Sequence, residues 1–210
     1  MPGAHASTHP LVAHHVVTLR DPATQPPEFR RVVGQITRLL AVEATASMPT
    51  REVRARTPLG EAAGHRLAER IAIVPILRAG LGMADGLLEL IPDAEVWHIG
   101  LYRDEATLAP QEYYNKLPRN CGAGVAIVVD PMLATGGSAI RTCEILRAAG
   151  IPRIIFLALI ASPEGVGRLA AAMPDVAIHV ASVDDGLNDV GFIVPGLGDA
   201  GDRQFGTAPG

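Results

Sequence analysis

The sequence predicts an α/β domain with a central parallel sheet and helices on its faces. Short apolar runs rich in β-branched residues recur along the chain, and stretches of helical character separate them. Composition agrees: 48% of the 210 residues are hydrophobic and 19% are charged, too apolar and too weakly charged for a disordered chain. No repeat or low-complexity tract divides the sequence, which reads as one domain over residues 1–210.

Taken in order, residues 1–20 hold His5, His9, His14 and His15 around Pro10 and read as a mobile N-terminal tail. From 28 to 48, Val32, Val33, Ile36, Leu39, Leu40 and Val42 recur at helical spacing among charged residues, predicting an amphipathic helix. Strands are predicted at IAIVPIL (71–77), EVWHIGLY (95–102), GVAIVVD (124–130), RIIFLALIA (153–161) and AIHVASV (177–183). Helices are expected over 82–90, 137–149 and 164–172, with Gly150 and Pro174 as stops. Two segments break the rhythm. Residues 103–118 are polar with two of the three tyrosines, and residues 184–210 are rich in Gly and Asp; such stretches in a compact domain serve as lids or binding loops.

Several functional classes are excluded at this level. The longest apolar run, 154–161, is far short of the ~20 residues a spanning helix needs, so no membrane partner is expected. The N-terminus has no basic residue before Arg20 and no apolar signal core, which implies a cytoplasmic protein. Cys121 and Cys143 have neither metal nor disulfide spacing and read as reduced thiols. A net charge of −4 without a basic run gives nucleic acid no footprint. All basic residues but Lys116 are arginine, which suits bidentate contact with phosphate.

The strongest chemical signal is GVAIVVDPMLATGGSAIRTCEIL, where a buried strand ends in Asp130 and a turn through Thr135, Gly136, Gly137 and Ser138 opens a helix. A helix N-terminus offers unpaired N–H groups and partial positive charge, and glycine lets the backbone approach an anion. The strand-end carboxylate is suited to two vicinal hydroxyls, so the pair suggests a ribose 5-phosphate. An ordinary strand-to-helix turn is the plainer alternative, and the Walker A spacing is absent. Two weaker glycine patterns, GLGMADG after Gly80 (with Asp104 beyond it) and GLGDAG at 196–201, imitate a dinucleotide fingerprint. Arg78, at the strand end where that fold wants glycine, argues instead for a highly anionic ligand. Arg103 ends the next strand and would reach the same carboxyl edge, where two guanidiniums can clamp a pyrophosphate.

The segments VPILRAGLGM, YRDEATLAPQEYYNKLP, VVDPMLATGGSAI and FIVPGLGDAGDRQFGT, in this order and spacing, closely resemble the uracil phosphoribosyltransferases. The likeness spans roughly residues 71–207. It implies a type I phosphoribosyltransferase fold, a central parallel sheet flanked by helices with a small hood formed by 184–210. It also implies transfer of ribose 5-phosphate from phosphoribosyl pyrophosphate to N1 of uracil, giving UMP and diphosphate, with Mg2+. By resemblance Asp130, Pro131, Met132, Leu133, Ala134, Thr135, Gly136, Gly137 and Ser138 form the phosphoribosyl loop, and Arg78, Arg103 and Asp199 contact the donor. Ile193, Gly198, Asp199 and Ala200 would hold uracil, with Asp199 the candidate catalytic group and the metal ligands unassigned. Relatives are commonly dimers or larger, and some respond to GTP, so a homo-oligomer and a GTP effector are expectations of the resemblance.

Two departures matter. Asp130 is followed by Pro131 where many phosphoribosyltransferases carry a second acid, which fits the uracil branch; Phe192 stands where relatives often have Tyr. Independently of the family, uracil presents an acceptor, donor, acceptor edge that backbone groups of a Gly-rich turn can complement, so GLGDAG is expected to cradle the base. The 103–118 segment is the candidate lid, with Lys116 a donor contact, and would exclude water from an activated sugar. Three rivals remain: another nucleobase transferase, a nucleic-acid-binding regulator that keeps the donor site as a sensor, and a dinucleotide oxidoreductase resting on GLGMADG.

Overall fold

The computed structural model describes residues 3–103, 110–118 and 121–207. In chain order the elements are β1 (His5–Ala6), α1 (Pro10–Arg20), α2 (Pro26–Thr45), β2 (Thr50–Thr57), β3 (Gly60–Leu67), β4 (Ile71–Leu77) and α3 (Leu81–Leu90). There follow β5 (Glu95–Val96), β6 (Ile99–Arg103), β7 (Pro110–Asn115), β8 (Val125–Val129), β9 (Met132–Leu133), α4 (Gly137–Ala148) and β10 (Arg153–Ala161). The chain ends with α5 (Pro163–Ala172), β11 (Ala177–Val183), β12 (Gly186–Leu187), β13 (Ile193–Val194) and α6 (Ala200–Phe205).

The main sheet runs β1, β11, β10, β8, β4, β6, β7, with β5 paired to β4 and β9 to β10. Its neighbours are parallel except β7, which returns antiparallel to β6. The predicted α/β class and parallel sheet are therefore found. Strands buried on both faces read as unbroken apolar runs, and β4, β8 and β10 are such strands. Alternation sorts their side chains. Ile71, Ile73, Val125, Ile127, Ile155 and Leu157 pack under α1, α2 and α3, whereas Ala72, Val74, Ala126, Val128, Ile154 and Phe156 pack under α4 and α5.

This arrangement positions the site. From β4 the chain passes through α3 on one face to β6 on one side, while β8 lies on the other side and is followed by α4 on the opposite face. The carboxyl ends of β4 and β8 thus flank a topological switch point, where a crevice opens because the two following helices leave in opposite directions.

Two expectations are corrected, the mobile tail and the irregular C-terminal segment, and the candidate lid is described only in part. Residues 10–20 are not a mobile tail: Val12, Val16 and Leu19, at spacings of four and three, bury one face of α1, and Pro10 sits in the first helical turn, where its missing N–H costs nothing. Within the candidate lid, residues 110–115 form β7, residues 104–109 lie outside the described residues, and Lys116 is exposed with its N–H bonded to His98 O. The region after 184 is less irregular than expected, since β12 and β13 pair and α6 closes it. The hairpin β2–β3 was not predicted; its strands are almost wholly exposed, so no burial pattern marks them.

Gly86 on α3 faces Gly34 on α2 so closely that an added Cβ would stand 2.9 Å from both Gly34 Cα and Gly34 O. Backbone cannot yield as a side-chain tip does. Gly86→Ala is expected to force the helices apart and cost ~1–3 kcal/mol of stability, read from urea unfolding midpoints.

Candidate active site

The turn after β8 is built from backbone. Asp130 ends the strand, Pro131 O accepts from Leu159 and Ile160 N–H, and β9 pairs with the end of β10, so the turn is anchored to the sheet. α5 then presses on it: a Cβ at Gly165 would lie 2.4 Å from both Leu133 O and Ala134 O, an approach only glycine permits. Ser162 donates to Ala134 O (2.6 Å) while accepting from Gly165 N–H (2.9 Å), and Arg168 Nη1 donates to Thr135 O (2.7 Å). These contacts draw the carbonyls of the turn toward α5.

Gly136 takes φ +79°, a left-handed conformation that lets the chain swing directly into α4, and no side chain caps that helix. The result is a small pocket of about 110 Å3 lined by Asp130, Met132, Thr135, Gly136, Gly137, Ser138 and their neighbours. Of the predicted phosphoribosyl loop, only Pro131 is absent from its lining, because its ring is buried and its carbonyl is engaged with β10. A helix N-terminus without a capping side chain, closed on one side by a carboxylate, can hold a phosphate ester and hydroxyl groups beside it.

A second pocket, of about 240 Å3, adjoins it. Met132 and Ala134 line both, and the rest of the second wall comes from Ala79, residues 190–193 and residues 198–201. Ile193, Gly198, Asp199 and Ala200 all lie there, as predicted for the base site. Gly201 belongs to the expected GLGDAG cradle, whereas Ala79, Val190 and Gly191 were not singled out in the sequence; small and aliphatic residues carry no chemical signature. Phe192 stands at the rim, 45% exposed, so an aromatic face is offered where no hydroxyl is available.

The expected six-residue cradle is divided. Gly196 and Leu197 are buried and do not line the pocket, whereas Gly198 and Asp199 are exposed and do. Asp199 caps α6, its Oδ1 accepting from Asp202 N–H at 2.8 Å. Its charge acts on Asp130. Burial chiefly, opposed by the bond from Met132 N–H and aided by a smaller repulsion from Asp199, pushes the Asp130 carboxyl up from 3.8 to about 7. Two acids 69 positions apart in sequence thus line adjoining pockets, Asp130 the smaller and Asp199 the larger.

On the β4 side, Gly80 sits so close to β8 that an added Cβ would meet Val129 O at 2.5 Å. Arg78, immediately after β4, is exposed; its carbonyl accepts from Leu81 N–H, and its side chain makes no hydrogen bond or ion pair among the described residues. Arg103 closes β6, the strand next to β4, but its side chain lies outside the described part, as does Asp104. Gln204 of α6 is fully buried and donates to Ala79 O (2.9 Å), tying α6 to the turn after β4. Cys143 is buried with its thiol pushed up to about 12 by desolvation, which makes it inert. No described helix is long and apolar enough to cross a membrane.

Comparison with known proteins agrees with this geometry. Residues 6–207 match the sequence model of the family described as uracil phosphoribosyltransferase. The uracil phosphoribosyltransferase of Roseiflexus sp. (strain RS-1) is 56% identical over 201 residues, covering 96% of this chain and 97% of the relative. That of Dictyoglomus turgidum is 53% identical over 200 residues, covering 95% and 97%. Among solved structures, the AQ2163 protein of Aquifex aeolicus is 36% identical with a TM-score of 0.91, covering 97% of this chain and 98% of that one. A hypoxanthine-guanine phosphoribosyltransferase of Bacillus anthracis, 14% identical, shares the fold at a TM-score of 0.51 over 76% of this chain and 80% of its own. With nearly its whole length matched by that family model and by relatives more than half identical, the chain belongs to the uracil phosphoribosyltransferase family.

Proposed function

We propose that this chain joins uracil N1 to C1 of the ribose 5-phosphate carried by phosphoribosyl pyrophosphate, forming UMP and releasing diphosphate. The observation that carries the reading is the common wall: Met132 and Ala134 line both the phosphate-sized pocket and the larger, more apolar one. A phosphate at α4 and a planar base against Phe192 and Ile193 would then hold the sugar between them, with its reacting carbon facing the base. Holding two reactants in that relation removes much of the entropic barrier to their union.

Each group has a stated part in this reading. Thr135, Gly136, Gly137 and Ser138 hold the 5-phosphate, and Asp130 accepts hydrogen bonds from the ribose hydroxyls. Arg78 and Arg103 are assigned to the donor's diphosphate by the family resemblance, and residues 184–207 to the hood over the base. As the N1–C1 bond forms and the C1–oxygen bond to diphosphate breaks, the N1 proton must leave, and Asp199, which lines the base pocket, is the acceptor we assign. The lid is the 103–118 segment.

Among the described residues no group of three or more His, Cys, Asp or Glu is arranged to hold a metal by itself. The close pair Asp130 and Asp199 instead fits Mg2+ that arrives on the substrate's own phosphates and takes only one or two protein carboxylates. When bound, Mg2+ supplies charge neutralisation on the departing diphosphate.

The reading is tested by incubating the protein with phosphoribosyl pyrophosphate, Mg2+ and, separately, uracil, cytosine, hypoxanthine, adenine and orotate. UMP and diphosphate in equal amounts from uracil alone are expected; turnover of another base in preference to uracil, or none, overturns it. Arg78→Ala is expected to raise the donor KM by ~10-fold or more while leaving the uracil KM within about twofold.

Asp130 carries a pH signature in the unliganded protein. Its folded-state value lies above the ordinary 3.8, so between that value and about 7 the folded protein holds a proton that the unfolded chain releases. This contribution is fully present at acid pH and is lost as pH rises through about 7. Wild type should therefore lose melting temperature relative to Asp130→Asn as pH is raised across that range; parallel curves for the two proteins would show that Asp130 titrates normally.

A further inference from the structure

The half of the GLGDAG turn that faces away from the pocket is held by an ion-pair lock. Arg20, the last residue of α1, donates from Nη1 to Asp184 Oδ2 (2.7 Å) and from Nη2 to Asp184 Oδ1 (2.5 Å). The same Nη1 reaches Gly196 O at 2.9 Å, and Nη2 reaches Ser182 Oγ at 3.3 Å. Asp184, whose side chain is 1% exposed, also accepts from Gly196 N–H (2.9 Å) and Ser182 Oγ (3.1 Å). Both polar groups of Gly196 are thereby engaged by the pair. Burial alone would raise the Asp184 carboxyl, but the bonds from Arg20 and Gly196 outweigh it and keep the group below its ordinary value, hence ionised.

A second arginine holds the next carbonyl. Arg203 of α6 donates from Nη1 to Leu197 O (2.9 Å) and to Leu19 O, and from Nη2 to Asp21 O (2.5 Å). Its guanidinium lies 4.5 Å from the ring centre of Phe29, a fully buried side chain of α2. Three polar backbone groups of two successive residues, Gly196 N–H, Gly196 O and Leu197 O, are thus bonded to charged side chains before any ligand arrives. Gly196 has φ +63°, and a Cβ there would lie 2.1 Å from Ile193 O, so the turn is also sterically confined to this path. The following residues, Gly198 and Asp199, emerge at the pocket wall.

We infer that Arg20, with Asp184, and Arg203 are positioning residues for base recognition: they set the peptide planes of Gly196 and Leu197 so that Gly198 and Asp199 present fixed hydrogen-bonding groups to uracil. The inference rests on the assignment of the 240 Å3 pocket to the base. Bidentate and multiple donation is what arginine provides and lysine does not, because an ammonium lacks the planar fork. A turn whose carbonyls are held in advance costs less to order on binding and leaves unpaired groups when the wrong base enters. None of the three side chains lines the pocket itself.

The test compares Arg20→Lys and Arg203→Lys with Gly198→Ala and with Arg153→Lys, a control whose partner is the distant Glu69. Folding is verified by thermal melting, and Asp184→Asn reports on the same lock where Arg20→Lys does not fold. The expected result is a rise of ~10-fold or more in the uracil KM for both lock variants, with donor KM within about twofold and lower preference for uracil over cytosine. Gly198→Ala should also raise the uracil KM, and Arg153→Lys should behave as wild type. If Gly198→Ala acts on uracil but the lock variants change only melting temperature, or change both KM values equally, the positioning role is wrong. If Gly198→Ala leaves the uracil KM unchanged, the base-site assignment fails and the positioning role falls with it.

Discussion

The site depends on one packing constraint: β4 and β8 lie side by side with their following helices on opposite faces of the sheet. That divergence opens the crevice, and it requires the turns after both strands to run very close to neighbouring backbone. Gly80 approaches Val129 O and Gly165 approaches Leu133 O and Ala134 O at distances no side chain would allow. The glycines therefore act through absence. By permitting that contact they let α5 and the sheet satisfy the turn's carbonyls, so that the uncapped start of α4 is turned to an anion instead.

Parts of this arrangement are legible in the sequence because they follow from periodicity. β4 and β10 were predicted at their observed limits, since strands buried on both faces leave unbroken apolar runs bounded by polar residues, and the limits of the less buried β11 were also predicted. The Asp130 to Ser138 turn was legible as a strand-to-helix junction for a different reason: glycine and hydroxyl residues gathered between an apolar run and a helical stretch form a local pattern. What was not legible is of two kinds. α1 presents only three buried residues and carries histidines and an initial proline, so its local composition argues against the helix that tertiary packing imposes. The β2–β3 hairpin buries almost nothing, and exposed strands of Arg, Glu, Ala and Gly have no alternation to detect.

The second kind of miss concerns contacts between distant parts of the chain. The resemblance assigns both Asp130 and Asp199 to the donor, but that the charge of one bears on the pKa of the other follows only from the fold. That proximity has a chemical consequence. The Asp199 charge adds to the burial that is the main cause, and together they push the Asp130 carboxyl up to about 7 in the unliganded protein.

The base side shows the same logic in backbone form. A recognition surface made of peptide groups leaves almost no trace in sequence, because any residue supplies an N–H and a C=O. Its specificity must come from whatever fixes those groups in direction. Here Arg20, Asp184 and Arg203, none of which touches the pocket, restrain Gly196 and Leu197, and sequence alone would class both arginines as surface charges. Because charge-assisted bonds to carbonyls are shorter and stronger than neutral ones, two arginines suffice to hold a glycine-rich turn that would otherwise sample many conformations. The flexibility that glycine brings to approach the base is removed by side chains that approach from behind.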